Sequence, residues 1–181
     1  GAASGTNGMG RDIDLAEFAE VLIAHGADVN KKTGEGRSHK TPLNYAARSN
    51  NLAVAKVLLA HGADVEGGGS SPLYSAGENG DSVELAQLLV EHGAQVNSPS
   101  PSGVFPLHIA AGRGNTRVTN YLLAHGADPG VRDRAGQTAI YWAAGSDYGV
   151  ATAEALLSHG ADPNARNTQG RTALHQAASQ S

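Results

Sequence analysis

Five of the eight histidines in this 181-residue sequence recur at a regular spacing, and histidine is a residue type well suited to bind a metal ion. Each of the five precedes Gly-Ala, and the intervals between them are 36, 31, 33 and 34 residues. A zinc ion needs its ligands within about 2.0–2.2 Å of one point. Residues one structural period apart line up along an array and do not converge. We therefore predict no metal site and no cofactor, and expect each imidazole to donate to backbone near a helix end or loop. The five are His25, His61, His92, His125 and His159.

The segment from Gly34 to Thr41 comes close to a phosphate-binding loop. That motif requires Gly, four residues and then Gly-Lys-Thr, but His39 occupies the position of the second glycine. A side chain there crowds the backbone that would surround the phosphate, and no buried strand precedes the segment, so we interpret it as an ordinary loop. The chain has no cysteine, and no Ser–His–Asp grouping or carboxylate pair stands out. We therefore expect no enzymatic activity.

A second motif recurs with the same period as the histidines and predicts the elements that position them. It begins with Thr41-Pro42-Leu43 and recurs so that the next of the five histidines follows after 20 or 21 residues. A Thr or Ser hydroxyl caps a helix whose first position suits proline. A Leu-rich stretch then precedes each histidine, and the glycine after the histidine supplies the left-handed residue that ends a helix. Each period therefore predicts two short helices. The later copies are Ser71-Pro72-Leu73, Phe105-Pro106-Leu107, Thr138-Ala139-Ile140 and Thr172-Ala173-Leu174.

These two motifs together resemble the ankyrin repeat family from about Asp12 to Ser181. Its hallmark is Thr-Pro-Leu-His-x-Ala-Ala in one helix and Leu-Leu-x-His-Gly-Ala-Asp-Val-Asn after the next. The first-helix histidine is present only at His108 and His175, and Asn44, Tyr74 and Tyr141 replace it elsewhere. The resemblance implies an all-α solenoid of helix-turn-helix units joined by hairpin fingers, with about four full repeats between partial repeats at both ends.

The repeat marks also set the domain boundaries that we expect. Residues 1–10 are interpreted as a flexible lead-in or a cloning remnant, and residues 11–181 as one repeat domain. The units are expected at about 11–32, 33–66, 67–97, 98–130, 131–164 and 165–181. Polar outer faces could keep the incomplete terminal repeats soluble, but we expect the chain to be an excerpt from a longer protein.

Composition excludes several classes of protein. Apolar residues make up 40% and charged residues 17%, which is too apolar for a disordered tail. No stretch approaches the roughly 18 consecutive apolar residues of a membrane span, so no membrane insertion is predicted. The net charge is −4, and no stacking aromatics accompany the basic loops, which argues against nucleic-acid binding.

The charges divide unevenly between the predicted surfaces. Fingers and ends of first helices hold ten cations and five acids, whereas second helices and the N-terminal segment hold three cations and eight acids. The first finger is three residues longer than the regular ones and the second is three shorter, which indicates either a binding edge or a tolerated insertion. Tyr45 and Trp142, at the fifth position of their helices, either anchor a partner or pack under the adjacent finger. The predicted partner-binding residues are Lys31, Lys32, Arg37, Lys40, Tyr45, Arg48, Arg113, Arg132, Arg134, Trp142, Arg166 and Arg171.

The resemblance implies a non-catalytic module that binds another protein through its fingers and concave groove. The basic fingers favour an acidic partner, and a solvated mixed surface is the alternative. A targeting module of a larger enzyme, such as a secreted effector, is the second functional hypothesis. We expect a monomer and a cytoplasmic location, with secretion as the alternative. The resemblance also implies possible asparagine hydroxylation at Asn30 and Asn164.

Overall fold

The computed structural model describes residues 14–34, 39–78, 80 and 82–180. The lead-in at 1–10 and the candidate Arg37 lie outside these residues. Within the described ranges the secondary structure is helical, with four helix pairs between single helices at either end, as the repeat pattern predicts. The helices are α1 (Leu15–Ala24), α2 (Pro42–Arg48), α3 (Leu52–Ala60), α4 (Pro72–Ala76), α5 (Val83–Glu91), α6 (Pro106–Gly112), α7 (Thr116–Ala124), α8 (Ala139–Ala143), α9 (Gly149–Ser158) and α10 (Ala173–Ala177).

First helices pack on first helices, and second helices pack on second helices. Thus α2 contacts α4, α4 contacts α6 and α6 contacts α8, while α3, α5, α7 and α9 form the parallel row. The core between them consists of leucines and alanines that are almost fully buried. One leucine of each paired second helix is at most 4% exposed. These leucines are Leu58, Leu89, Leu122 and Leu156.

Four of the five histidines that follow the second helices have the structural role expected from their spacing, while the Nε2 of His61 lies 2.8 Å from the Oε2 of Glu20. The Nδ1 of His25 lies 2.7 Å from the carbonyl oxygen of Val21, and the Nδ1 of His92 lies 2.8 Å from that of Leu88. Because a carbonyl oxygen only accepts, each ring nitrogen donates. The next glycine has a φ of 81° to 94° in every unit, so the helix ends on a left-handed residue. No cluster of three or more potential metal ligands occurs in the described residues.

Side chains that follow the second helices connect successive units. The side chain of Asn30 donates to the Gly62 carbonyl at 3.1 Å and accepts from the Asp64 amide at 2.8 Å. Glu66 accepts from the Gln95 amide at 2.7 Å in the same way. The third bridge repeats the first, since Asn97 donates to Gly126 at 2.8 Å and accepts from Asp128 at 3.1 Å. The equivalent fourth residue is Gly130, which has no side chain to form a bridge.

The short second finger explains why asparagine replaces the usual histidine of α2. Asn44 is fully buried, and its amide donates to the Ser70 carbonyl at 2.8 Å. Gly68, with a φ of 99°, passes so close that a Cβ there would lie 2.2 Å from the Asn44 Oδ1. A finger shortened in this way leaves room for the smaller amide and requires glycine at its closest point.

The two ends of the array expose apolar side chains. Phe18 on α1 is 55% exposed, and Leu174 on α10 is 76% exposed. No helix in the described part of the chain has the length and apolar character needed to cross a membrane.

Candidate functional site

The fifth position of each first helix lines the groove surface, which we define as Tyr45, Ser75, Ile109, Trp142 and Gln176. These residues differ sharply in accessibility. Tyr45 is 48% exposed, Ser75 and Ile109 are buried, and Trp142 and Gln176 are half-buried. The two aromatic candidates therefore lie at separate places, with α4 and α6 between their helices.

Trp142 is fixed by the finger above it. Its indole Nε1 donates to the Oδ2 of Asp133 at 3.0 Å. The other carboxylate oxygen of Asp133 accepts from the amides of Ala135 and Gln137 at 2.9 and 2.8 Å, so one side chain holds both the finger turn and the indole. A Cβ at Gly112 would lie 2.9 Å from the Trp142 Cε3, which places the ring directly over that glycine. Trp142 packs under its finger while part of the ring stays accessible.

The buried imidazole of His108 supports this arrangement from the neighbouring unit. Its ring centre lies 5.7 Å from that of Trp142, and its Nε2 donates to the Gln137 carbonyl at 2.9 Å. The Phe105 amide donates to the Nδ1 at 3.2 Å. A neutral ring that carries its proton on Nε2 therefore forms a hydrogen bond at both nitrogens. Burial lowers the pKa of His108, and the hydrogen bond to Gln137 opposes this shift.

A pocket of about 310 Å³ opens beside Trp142. Glycines on α6 and after α8 leave space at its edges, and two glutamines supply polar groups. In the part of the chain that the structure describes, neither glutamine side chain makes a hydrogen bond. A larger hollow of about 500 Å³ beside α10 is lined mainly by apolar residues, and its polar members are Ser146, Asn164 and Thr172. The residues around the smaller pocket are Gly112, Gln137, Tyr141, Trp142, Gly145 and Gln176.

The first finger presents two exposed lysines. Lys31 and Lys32 are both exposed, whereas Lys40 is half-buried at the base of the finger. The Thr33 amide donates to the Lys40 carbonyl at 2.9 Å, and the Lys40 amide donates to the Thr33 hydroxyl at 3.1 Å. The backbone pairing places Lys40 where the finger meets α2, and the other two lysines precede it on the open side.

Arg132 and Arg134 bond the backbones of neighbouring fingers, and Arg166 lies at one of these contacts. Arg132 donates to the carbonyl of Gly136 at 2.9 Å and to that of Arg166 at 2.6 Å. Arg134 donates to the Pro101 carbonyl. All three arginines remain exposed, so they link fingers and still present charge to solvent.

The middle of the groove carries a mixed charge cluster at the ends of the first helices. Arg48 and Glu78 form an ion pair of 3.9 Å. Burial raises the pKa of the Tyr74 hydroxyl, Glu78 adds to the rise, and Arg113 opposes it. The charges of Glu78 and Arg113 therefore act on the same hydroxyl in opposite directions. Along the chain, Arg48 belongs to the unit before that of Glu78 and Arg113 to the unit after it.

The second helices carry an exposed ion pair. Arg117 donates to Glu84 at 3.0 Å on this surface. A hydrogen bond from the backbone lowers the pKa of Glu84, and Arg117 lowers it further. Both side chains are more than half exposed, so the pair adds little to stability.

The two candidate hydroxylation sites differ in their contacts. The Asn30 side chain forms both hydrogen bonds of the first bridge between units. Asn164 is exposed, and the bond that ties it locally runs from its backbone amide to Asp162 at 2.8 Å. Hydroxylation at either site stays a prediction.

The pocket beside Trp142 was not predicted from the sequence, although one of its signals was visible. Gly112 and Gly145 directly follow the pairs of small residues that end the first helices. A glycine at this position, close to an aromatic residue at the fifth helix position, leaves space next to the aromatic ring. The glutamines were missed because Gln137 belongs to the finger and Gln176 to the following unit, and only the stacked fold brings them together.

Comparison with known proteins agrees with the stacked helix pairs and capped fingers. A family model described as ankyrin repeats, in three copies, matches residues 11–100 and 107–181, and a second ankyrin model matches 80–123. The chain belongs to the ankyrin repeat family, whose repeats generally mediate protein–protein interactions without catalysis.

Its relatives are much longer proteins. The mouse nuclear factor NF-kappa-B p105 subunit is 40% identical over 60% of this chain and 8% of its own length. The mouse B-cell lymphoma 3 protein homolog is 45% identical over 36% of this chain and 14% of its own length. The BRCA1-associated RING domain protein 1 of Caenorhabditis elegans is 44% identical over 39% of this chain and 10% of its own length. The chain thus corresponds to a small part of each.

Proposed function

We propose that this chain is a non-catalytic interaction module that binds an acidic protein partner along its fingers and groove surface. The observation that supports the proposal most strongly is the placement of exposed cations. Exposed lysines project from the first finger, and the exposed Arg132, Arg134 and Arg166 project from the later ones. No comparable cationic row occurs on the described second helices, where Glu17, Glu20 and Glu154 are exposed.

Such a division of charge acts mainly on association. A cationic face raises the local concentration of an acidic partner and speeds its encounter, and salt weakens the effect. Exposed charges of this kind add about 0–1 kcal/mol to folding per pair, so the fingers can change charge without unfolding the array. A protein with carboxylates spaced along one edge is therefore the partner we propose, in preference to nucleic acid.

The experiment compares two faces of the same molecule. The double variant Lys31→Glu with Lys32→Glu reverses the first finger, and Lys56→Glu places a reversed charge on α3 as the matched control. Proteins captured on the parent domain are purified and titrated against all three forms at two salt concentrations. We expect slower association for the finger variant and unchanged binding for the control. Equal affinity of all forms at both salt concentrations, or tighter binding to duplex DNA than to any captured protein, would contradict the proposal.

A second candidate is a recruitment module within a larger polypeptide. The observation that favours it is that the chain spans 8%, 14% and 10% of the three relatives described above. The test is the genomic sequence on both sides of the corresponding gene segment. A catalytic domain in the same reading frame would support recruitment, and the absence of one would remove this candidate.

A further inference from the structure

We propose that the pocket beside Trp142 is a specificity site that takes one aliphatic side chain from an extended acidic segment of the partner protein. This inference rests on the proposed function and names the chemistry of the contact. The pocket is small and open, at the low end of the size range for ligand sites, so it suits one side chain with its flanking backbone.

The indole offers only apolar surface to an incoming group. Its single N–H is already donated to Asp133 at 3.0 Å, and that carboxylate is held in turn by two finger amides. The absence of side chains at Gly112 and Gly145 leaves the space around the ring unfilled. An aliphatic side chain entering here would cover the accessible part of the ring and lose contact with water.

The two glutamines explain why the ligand is a peptide backbone. Gln137 and Gln176 come from different units, and each side-chain amide carries an N–H donor and a carbonyl acceptor. An extended peptide presents the same pair of groups from each residue. Side-chain amides on either side of the apolar surface can therefore bond the backbone that bears the inserted side chain.

Two arginines that do not line the pocket adjoin residues that do. Arg113 follows Gly112 directly in the chain and is exposed. Arg171 donates to the Ser179 hydroxyl at 3.2 Å, and that hydroxyl donates to the Gln176 carbonyl at 2.8 Å. These two arginines disfavour a cationic side chain over the indole and favour carboxylates next to the inserted residue.

The test uses the fact that Trp142 is the only tryptophan in the chain, so its emission reports on this pocket. The probe is acetyl-Glu-Glu-Leu-Glu-Glu-amide, with the Leu→Gly peptide and acetyl-Lys-Lys-Leu-Lys-Lys-amide as controls. We expect a saturable change in emission with the leucine peptide. The glycine peptide should bind about tenfold more weakly, because one well-packed contact of about 1.4 kcal/mol is lost. The lysine peptide should give no saturable change.

Two variants keep the reporter and alter the pocket. Gly145→Val fills its edge, and Gln176→Leu removes one amide while keeping the side-chain size similar. Each should weaken the leucine peptide about tenfold. Gln87→Leu, the same exchange at an exposed position of α5, is the matched control and should stay within about twofold of the parent. Circular dichroism checks folding, and Gln176→Leu carries the test if the valine variant is unfolded.

Three results would overturn the pocket: equal affinity for the leucine and glycine peptides, unchanged binding by both pocket variants, or saturable binding of the lysine peptide. Failure here can be separated from failure of the proposed function. If a purified partner still binds in a salt-dependent way that the first-finger variant weakens, only the pocket assignment falls.

Discussion

Replacing Thr119 by valine is expected to stabilise the protein, although most substitutions in a core do the opposite. Thr119 lies on α7 with no exposed surface, and its hydroxyl has no hydrogen-bond partner among the described residues. A buried hydroxyl without a partner costs about 1–3 kcal/mol in mutational data. Valine keeps the branched shape, and its helix propensity is close to that of threonine. We therefore expect a gain of about 1 kcal/mol or more, which raises the Tm by roughly 2–4 °C per kcal/mol in a chain of this size.

The matched control for this prediction is Thr152→Val on α9. Thr152 is equally buried, but its hydroxyl lies 2.9 Å from that of Thr116, so the same change removes a hydrogen bond. This variant should lose about 0.5–1.5 kcal/mol. Urea denaturation followed by circular dichroism measures both variants against the parent. Equal destabilisation by the two substitutions would mean that the Thr119 hydroxyl has a partner and that the reasoning is wrong.

Three further predictions concern packing, the fingers and pH. Leu89→Ala should cost about 2–5 kcal/mol because the side chain is fully buried, whereas Leu157→Ala, at a position 44% exposed, should cost clearly less; urea denaturation compares them. Gly126→Ala should lower the free energy of unfolding by about 1–2 kcal/mol because of the positive φ alone. Gly68→Ala should lower it further because the new Cβ would also collide with the buried Asn44 amide. Similar losses of Tm in the two variants would contradict the finger packing. Because the pKa of His108 is lowered in the folded state, the unfolded state binds a proton at this ring first as the pH falls below 6.5. The free energy of unfolding should therefore decline from pH 7 to pH 5.5. The decline should be smaller in His108→Gln, which has no titrating ring.

The fold was predictable because its signals are local and repeated. Thr41 and Ser71 accept hydrogen bonds from Asn44 and Tyr74, as their position before each proline indicates. The glycines after the histidines have the left-handed φ that ends a helix. Each of these features depends on residues within a few positions, so the sequence carries the information directly.

The candidate site was less predictable because it depends on contacts between units. Sequence spacing placed Trp142 at the groove but did not decide between anchoring and packing. In the structure Asp133 holds its indole nitrogen, while part of the ring remains accessible. Charge sorting identified Arg132 and Arg166 without showing that one guanidinium bonds the other's carbonyl. Such pairs lie 34 residues apart, and local sequence patterns contain no signal for them.

The series of side-chain bridges has a consequence for the timing of local opening. The amides of Asp64, Gln95 and Asp128 each donate to a side chain from the preceding unit. Asp162 follows Gly130 in this series, and within the described residues its amide has no such acceptor. Amide exchange reports the free energy of local opening. The amide proton of Asp162 should therefore exchange with solvent faster than its three counterparts. Local opening should begin in the units that follow Gly130.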